Sequence, residues 1–198
     1  MTRSHNRVLA FPLFLVLVAA FFAGAIGQAQ ASVSTAPSVR TDAGITAEAD
    51  YLSGRTLTVV CATSGSEWSR ALSAVGLPAG EADEYYGFSL IPEGEMHLSP
   101  YVCDGLRLGA VASTRQAHEL QVAWSVDVLV HESTHMARFT YDEALTEACA
   151  RAGLPVELHR LYGIAYHSAE MSRLTHAAAM FRSTQGVAYQ GGTCSPPA

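Results

Sequence analysis

The stretch from Thr114 to Ala137 is the strongest constraint on what this chain folds into. Leu120, Ala123, Trp124 and Val128 recur at helical spacing, and the same period carries on to His131 and His135. Val128-Leu129-Val130 lead directly into the histidines. The pattern predicts one long, mostly buried helix. Its late turns hold His131-Glu132-Ser133-Thr134-His135, which reads H-E-x-x-H.

That spacing has a physical meaning. Residues i and i+4 lie one turn apart on one helical face, so both imidazoles can meet one metal ion. Glu132 projects beside them, where it can take a proton from a water that the metal activates. A third ligand is expected downstream. Asp142-Glu143-Ala144-Leu145-Thr146-Glu147 offers Glu143 and Glu147 on one helical face. Folding back around a turn near Arg138–Thr140 sets His135 opposite Glu143 and His131 opposite Glu147. Either carboxylate then reaches the metal. Two histidines, one glutamate and an open position make a catalytic zinc site, so Zn2+ is the expected cofactor. Asp127, one turn before His131, either steadies this site or faces solvent.

The pairing of H-E-x-x-H with a following helix of form Asp-Glu-x-x-x-acid resembles the gluzincin metallopeptidases. The resemblance covers roughly residues 115–152. It implies Glu143 as third zinc ligand, Glu147 as the acid that orients His131, and Glu132 as catalytic base. It also implies a late histidine or tyrosine that holds the developing oxyanion, for which His159, Tyr162 and Tyr166 share one face of the last predicted helix. His97 stands where such proteins place the edge strand that pairs with a peptide. Only seven residues separate His135 from Glu143, a compressed version of the family pattern. The activity implied is zinc-dependent hydrolysis of a peptide or protein outside the cytoplasm. The alternative is an exported zinc-binding protein without turnover.

The rest of the chain predicts an α+β fold, mainly helical and zincin-like, with a small sheet before residue 100. Thr56–Cys61, Tyr85–Leu90 and Glu95–Leu98 read as strands. Glu67–Val75 reads as a helix. Ser99-Pro100 is a helix entry, serine capping and proline in the first turn. Asp142–Ala152 is a helix that Gly153 and Pro155 should end, and Pro155–Arg182 the last. Residues 32–55 read as a flexible N-terminal segment, in which Asp42–Leu52 forms either a short helix or nothing regular, and 56–198 as the domain.

Arg3 and Arg7, the apolar run Val8–Gly27 and Ala29-Gln30-Ala31 form a signal-peptide pattern over residues 1–31. The run is also long enough for a retained anchor at 8–27. Four cysteines follow, Cys61, Cys103, Cys149 and Cys194. An even count after an export signal implies two disulfides, and Cys61–Cys103 with Cys149–Cys194 close the most modest loops. The formal charge is −6, and every basic residue is arginine. An acidic, lysine-free surface argues against nucleic acid or anionic lipid as a partner. A peptide or protein substrate is the partner expected, and nothing in the sequence sets the oligomeric state.

Overall fold

The computed structural model describes residues 39–78, 80, 82, 84–184 and 192–194. The expected export signal at 1–31, its anchor alternative and the start of the expected flexible segment lie outside the described residues. Among the described residues, no helix is long and apolar enough to cross a membrane.

The order is α1 (Asp42–Ser53), β1 (Thr58–Cys61), α2 (Gly65–Ala74), β2 (Gly87–Leu90), β3 (Glu95–Leu98), α3 (Pro100–Gly109), α4 (Ala112–Ala117), α5 (Glu119–Arg138), α6 (Glu143–Tyr162) and α7 (Ala169–Arg182). The class is α+β and mostly helical. The sheet order is β1-β3-β2. β3 pairs parallel with β1 and antiparallel with β2. Along β3 the side chains alternate. Met96 and Leu98 are fully buried in the main core, while His97 stacks on Phe88 (ring centroids 4.6 Å apart) on the opposite face. Trp68 of α2 stacks on Phe88 in turn (5.6 Å).

Helix starts follow the expected capping chemistry. Ser99 accepts from the Val102 N–H with Pro100 in the first turn, and Asp142 accepts from the Leu145 N–H. Both disulfides join the pairs favoured by loop length, Cys61–Cys103 and Cys149–Cys194. The first ties β1 to α3. The second ties α6 to the C-terminal tail.

Three sequence expectations are corrected. Residues 42–53, in a segment read as flexible with a short helix over 42–52 as the alternative, form the helix α1, whose Ile45, Glu48 and Ala49 are wholly buried. The long helix from Thr114 is interrupted at His118, because α4 turns to bury Arg115 against the Gly109 carbonyl and Glu170. Gly153 and Pro155 do not end a helix. α6 runs through both and stops at Gly163, which adopts the left-handed conformation (φ 68°) that glycine favours at such ends. Gly153 serves for close approach, since a Cβ there would lie 3.1 Å from Val130 of α5. Pro155 leaves the Arg151 carbonyl without its helical donor, and Arg151 is exposed, so water can supply one.

α1 is fastened to α6 by a buried charge cluster. Arg160 donates to Glu157 (2.8 and 3.2 Å), pairs with Glu48 and lies over the Tyr51 ring. One cation for two buried acids leaves the cluster short of positive charge. Burial pushes Glu157 up to about 7 and Arg160 down to about 10. An acid whose folded pKa exceeds its unfolded value stabilises the fold fully below the unfolded value, and that contribution is lost as pH rises through the folded one. Thermal melts are therefore expected to show stability falling between pH 4.5 and about 7, and Glu157→Gln should flatten that slope.

Candidate metal centre

α5 and α6 pack antiparallel, joined by the short connection 139–142. α5 ends at Phe139, a non-glycine residue in the left-handed region (φ 50°). Arg55 secures this end. Its guanidinium lies 4.1 Å over the Phe139 ring and donates to the Met136 carbonyl (3.1 Å), one of the carbonyls a helix end leaves unpaired. The tight reversal brings the first turn of α6 against the last two turns of α5.

There three side chains converge, two imidazoles and a carboxylate. His131 Nε2 and His135 Nε2 are 3.1 Å apart. Glu143 places Oε2 3.0 Å from the first and Oε1 3.5 Å from the second. Ligand atoms bound at about 2.0–2.1 Å to a tetrahedral ion lie about 3.3–3.4 Å from one another. The observed spacings bracket that value, so His131, His135 and Glu143 could hold a metal ion. Both histidines are buried, while the Glu143 side chain is 38% exposed and leaves the group open on one side.

The other ring nitrogens are held by the protein. His135 Nδ1–H donates to the Thr140 carbonyl (2.7 Å), inside the connection itself. His131 Nδ1 lies 3.4 Å from Glu147 Oε2. With each Nδ1 engaged, the Nε2 lone pairs point to the shared centre. Glu147 therefore faces the other nitrogen of His131, and Glu143 is the carboxylate of the group that could hold a metal. Glu147 is itself clamped by Arg182 of α7, which also donates to Asp127 (2.9 Å). Asp127 is 1% exposed, so the reading of it as a solvated residue is set aside. Burial raises its pKa to about 6, against the opposing pull of Arg182.

Charge in the metal-free group is strongly perturbed. Burial depresses His131, but its bonds to Glu143 and Glu147 and the nearby Glu132 charge outweigh this and raise it to about 10. For Glu143, burial raises the pKa and the two histidines more than reverse it, to about 2. Protons thus stand where a cation would, and a metal must displace them.

Glu132 is 6% exposed and lies between α5 and the edge strand β2. Ser89 Oγ donates to its Oε2 (2.7 Å). Gly87 permits the approach, since a Cβ there would come within 2.9 Å of Glu132 Cγ and 3.1 Å of Val128. The hydrogen bond from the Ser99 N–H to the Tyr86 carbonyl (2.9 Å) sets the phase of the β2–β3 ladder. By the antiparallel alternation, Phe88 and Leu90 turn their backbone groups to β3, and Gly87 and Ser89 turn theirs to the open edge. That edge borders a cleft of about 330 Å³, lined by His131, Glu132, His135 and Glu143 with Val75, Leu77, Leu90 and Tyr141.

Other sequence candidates lie elsewhere. His159 stacks on Tyr166 (4.5 Å) and bonds the Ile164 carbonyl. Sixteen residues of helix separate it from Glu143, about 24 Å, so neither residue reaches the centre. Tyr162 is occupied at the Leu106 carbonyl. His97 sits on the central strand, not the edge. Sequence reasoning missed Gly87, Ser89, Tyr141, Arg55 and Arg182. One signal pointed to the last of these: an acid, Asp127, set among Val126, Val128, Leu129 and Val130, calls for a buried cation.

Comparison with protein-family models, curated proteins and solved structures found no match to this chain.

Two outcomes are expected. Elemental mass spectrometry should find one divalent metal per chain, and none in His135→Ala. Gly87→Ala should force β2 away from Glu132 and lower stability by about 1–3 kcal/mol in urea unfolding.

Proposed function

We propose that this chain is a small zinc-dependent hydrolase of gluzincin type, acting on peptide or protein substrates outside the cytoplasm. The observation that carries the reading is the convergence of two Nε2 atoms and a glutamate oxygen at tetrahedral spacing, with Glu132 beside them on the same helix. Zinc is the ion that best suits two imidazoles, one carboxylate and an open position. Export is supported by two disulfides in a chain whose first residues carry a signal-peptide pattern.

When bound, zinc supplies a Lewis acid that polarises a scissile carbonyl and acidifies water. The chain supplies the rest. His131, His135 and Glu143 hold the ion. Glu132 takes a proton from the attacking water and returns it to the leaving amine. Ser89 steers that carboxylate. The backbone groups of Gly87 and Ser89, which turn away from β3, can pair with an extended peptide laid along β2, a docking mode in which main-chain bonds give affinity. Val75, Leu77, Leu90 and Tyr141 provide apolar walls for its side chains.

The burial of Glu132 and its bond to Ser89 favour a second reading, a zinc-binding protein without turnover. One variant separates the two. Glu132→Gln is expected to keep its zinc and lose hydrolysis of a peptide-library substrate by at least about 10²-fold, within the range of general-base removal. Hydrolysis unchanged in that variant would overturn the mechanism. Bound zinc with no hydrolysis in the unmodified chain would favour the second reading.

A further inference from the structure

The last helix takes no part in binding the metal directly, yet its final residue reaches the metal centre. Phe181 anchors the end of α7 by stacking on Trp124 of α5 (ring centroids 4.4 Å) and meeting Tyr86 edge-on (5.3 Å). That places the Arg182 guanidinium, whose side chain is only 10% exposed, between two buried acids from different helices. It donates to both oxygens of Asp127 on α5 and pairs with Oε1 of Glu147 on α6. The other oxygen of Glu147, Oε2, lies against His131 Nδ1. The side chains of Asp127 and Glu147 are 1% and 3% exposed.

We infer that Arg182 is a positioning residue for the metal centre: by gripping one oxygen of Glu147 it aims the other at His131 Nδ1 and so points His131 Nε2 at Glu143 and His135. The inference rests on the reading of those three residues as a divalent-metal site. Two physical features support it. A guanidinium presents donors in a rigid fork, so it can serve Asp127 and Glu147 at once, which the point charge of a lysine does less well. A carboxylate with one oxygen clamped cannot rotate away, and its grip on a ligating imidazole sets that ring's orientation and tautomer. Asp127 contributes by fixing the guanidinium to the same helix that carries both histidines. The metal helix, the third-ligand helix and the last helix are thereby locked through one side chain.

The test is metal binding by the purified full chain, read without reference to hydrolysis. Zn2+ affinity is measured by competition with a chromophoric chelator, and the visible absorption of the Co2+ form reports ligand geometry. Arg182→Met should weaken Zn2+ by about 10–100-fold, the range for losing an outer-shell partner, and alter the Co2+ spectrum. Arg182→Lys, which keeps the charge and the fold, should recover part of the affinity with a spectrum still displaced. Arg173→Met removes another α7 ion pair, the one with Glu119, and should bind as the unmodified chain does. If Arg182→Met unfolds, Arg182→Met with Asp127→Asn removes one cation and one anion together and should still bind weakly. Folded Arg182→Met, Arg182→Lys or double variants with unchanged affinity and spectrum would overturn the role of Arg182 alone. An unmodified chain that takes up no Zn2+ would overturn the metal reading on which it stands.

Discussion

The structure is organised around polar groups buried where α5 meets α6. Asp127, His131, Glu132, His135 and Glu147 are each less than a tenth exposed, in a helix pair otherwise lined by Val126, Leu129, Met136, Leu154 and Leu158. Isolated, such groups cost several kcal/mol apiece. Each is instead answered from a different element: Ser89 from β2, Thr140 from the connection, Glu143 and Glu147 from α6, Arg182 from α7. The apolar core closes around these helices with most of these groups partnered across the interface, and Glu147 Oε1 has the Arg182 ion pair in place of a hydrogen bond.

The scaffold follows from that need. β2 must come close to α5 for Ser89 to reach Glu132, and a side chain at position 87 would hold it off. α6 must begin directly after α5 for Glu143 to stand between the histidines, so the connection is short and strained at Phe139, with Arg55 holding it in place. The Cys149–Cys194 disulfide fixes α6 from its outer side, one half-turn beyond Glu147. The second buried cluster, Glu48, Glu157 and Arg160, repeats the logic without a metal. There an arginine answers two acids and joins α1 to the far half of α6.

Open and closed faces of the centre differ in consequence. The Nδ1 side of His131 is backed by Glu147, which Arg182 and, through it, Asp127 hold in turn. The Nε2 side opens past Glu143 into the cleft beneath Tyr141. The Glu143 side chain is 38% exposed, and that of Glu147 only 3%.

How much of this was legible in the sequence depends on the range of the interaction. Local signals were clear: the helical phase that places His131 and His135 on one face, the Ser99 cap, the strand at Glu95–Leu98, the cysteine pairs that close modest loops. These depend on neighbours a few residues away, where backbone geometry leaves few choices. The facing of Glu143 and Glu147 toward the two histidines was also foreseeable, because a short connection folds one helix back on the other. What the sequence left open was set by packing at long range. Glu143 or Glu147 as ligand turned on which imidazole nitrogen each met. Gly153 and Pro155 read as helix stops, and tertiary contact with Val130 overrode them. His159 and Tyr166 shared a helical period with useful chemistry but lay too far along the axis. The sequence by itself determined which residues could bind a metal together, since the i, i+4 rule is a property of one helix. Only the tertiary structure decided which carboxylate faces both Nε2 atoms, which strand forms the cleft edge and which arginine backs Glu147, because those contacts join different elements: His131 and Glu143 are 12 positions apart, Ser89 and Glu132 43, Asp127 and Arg182 55.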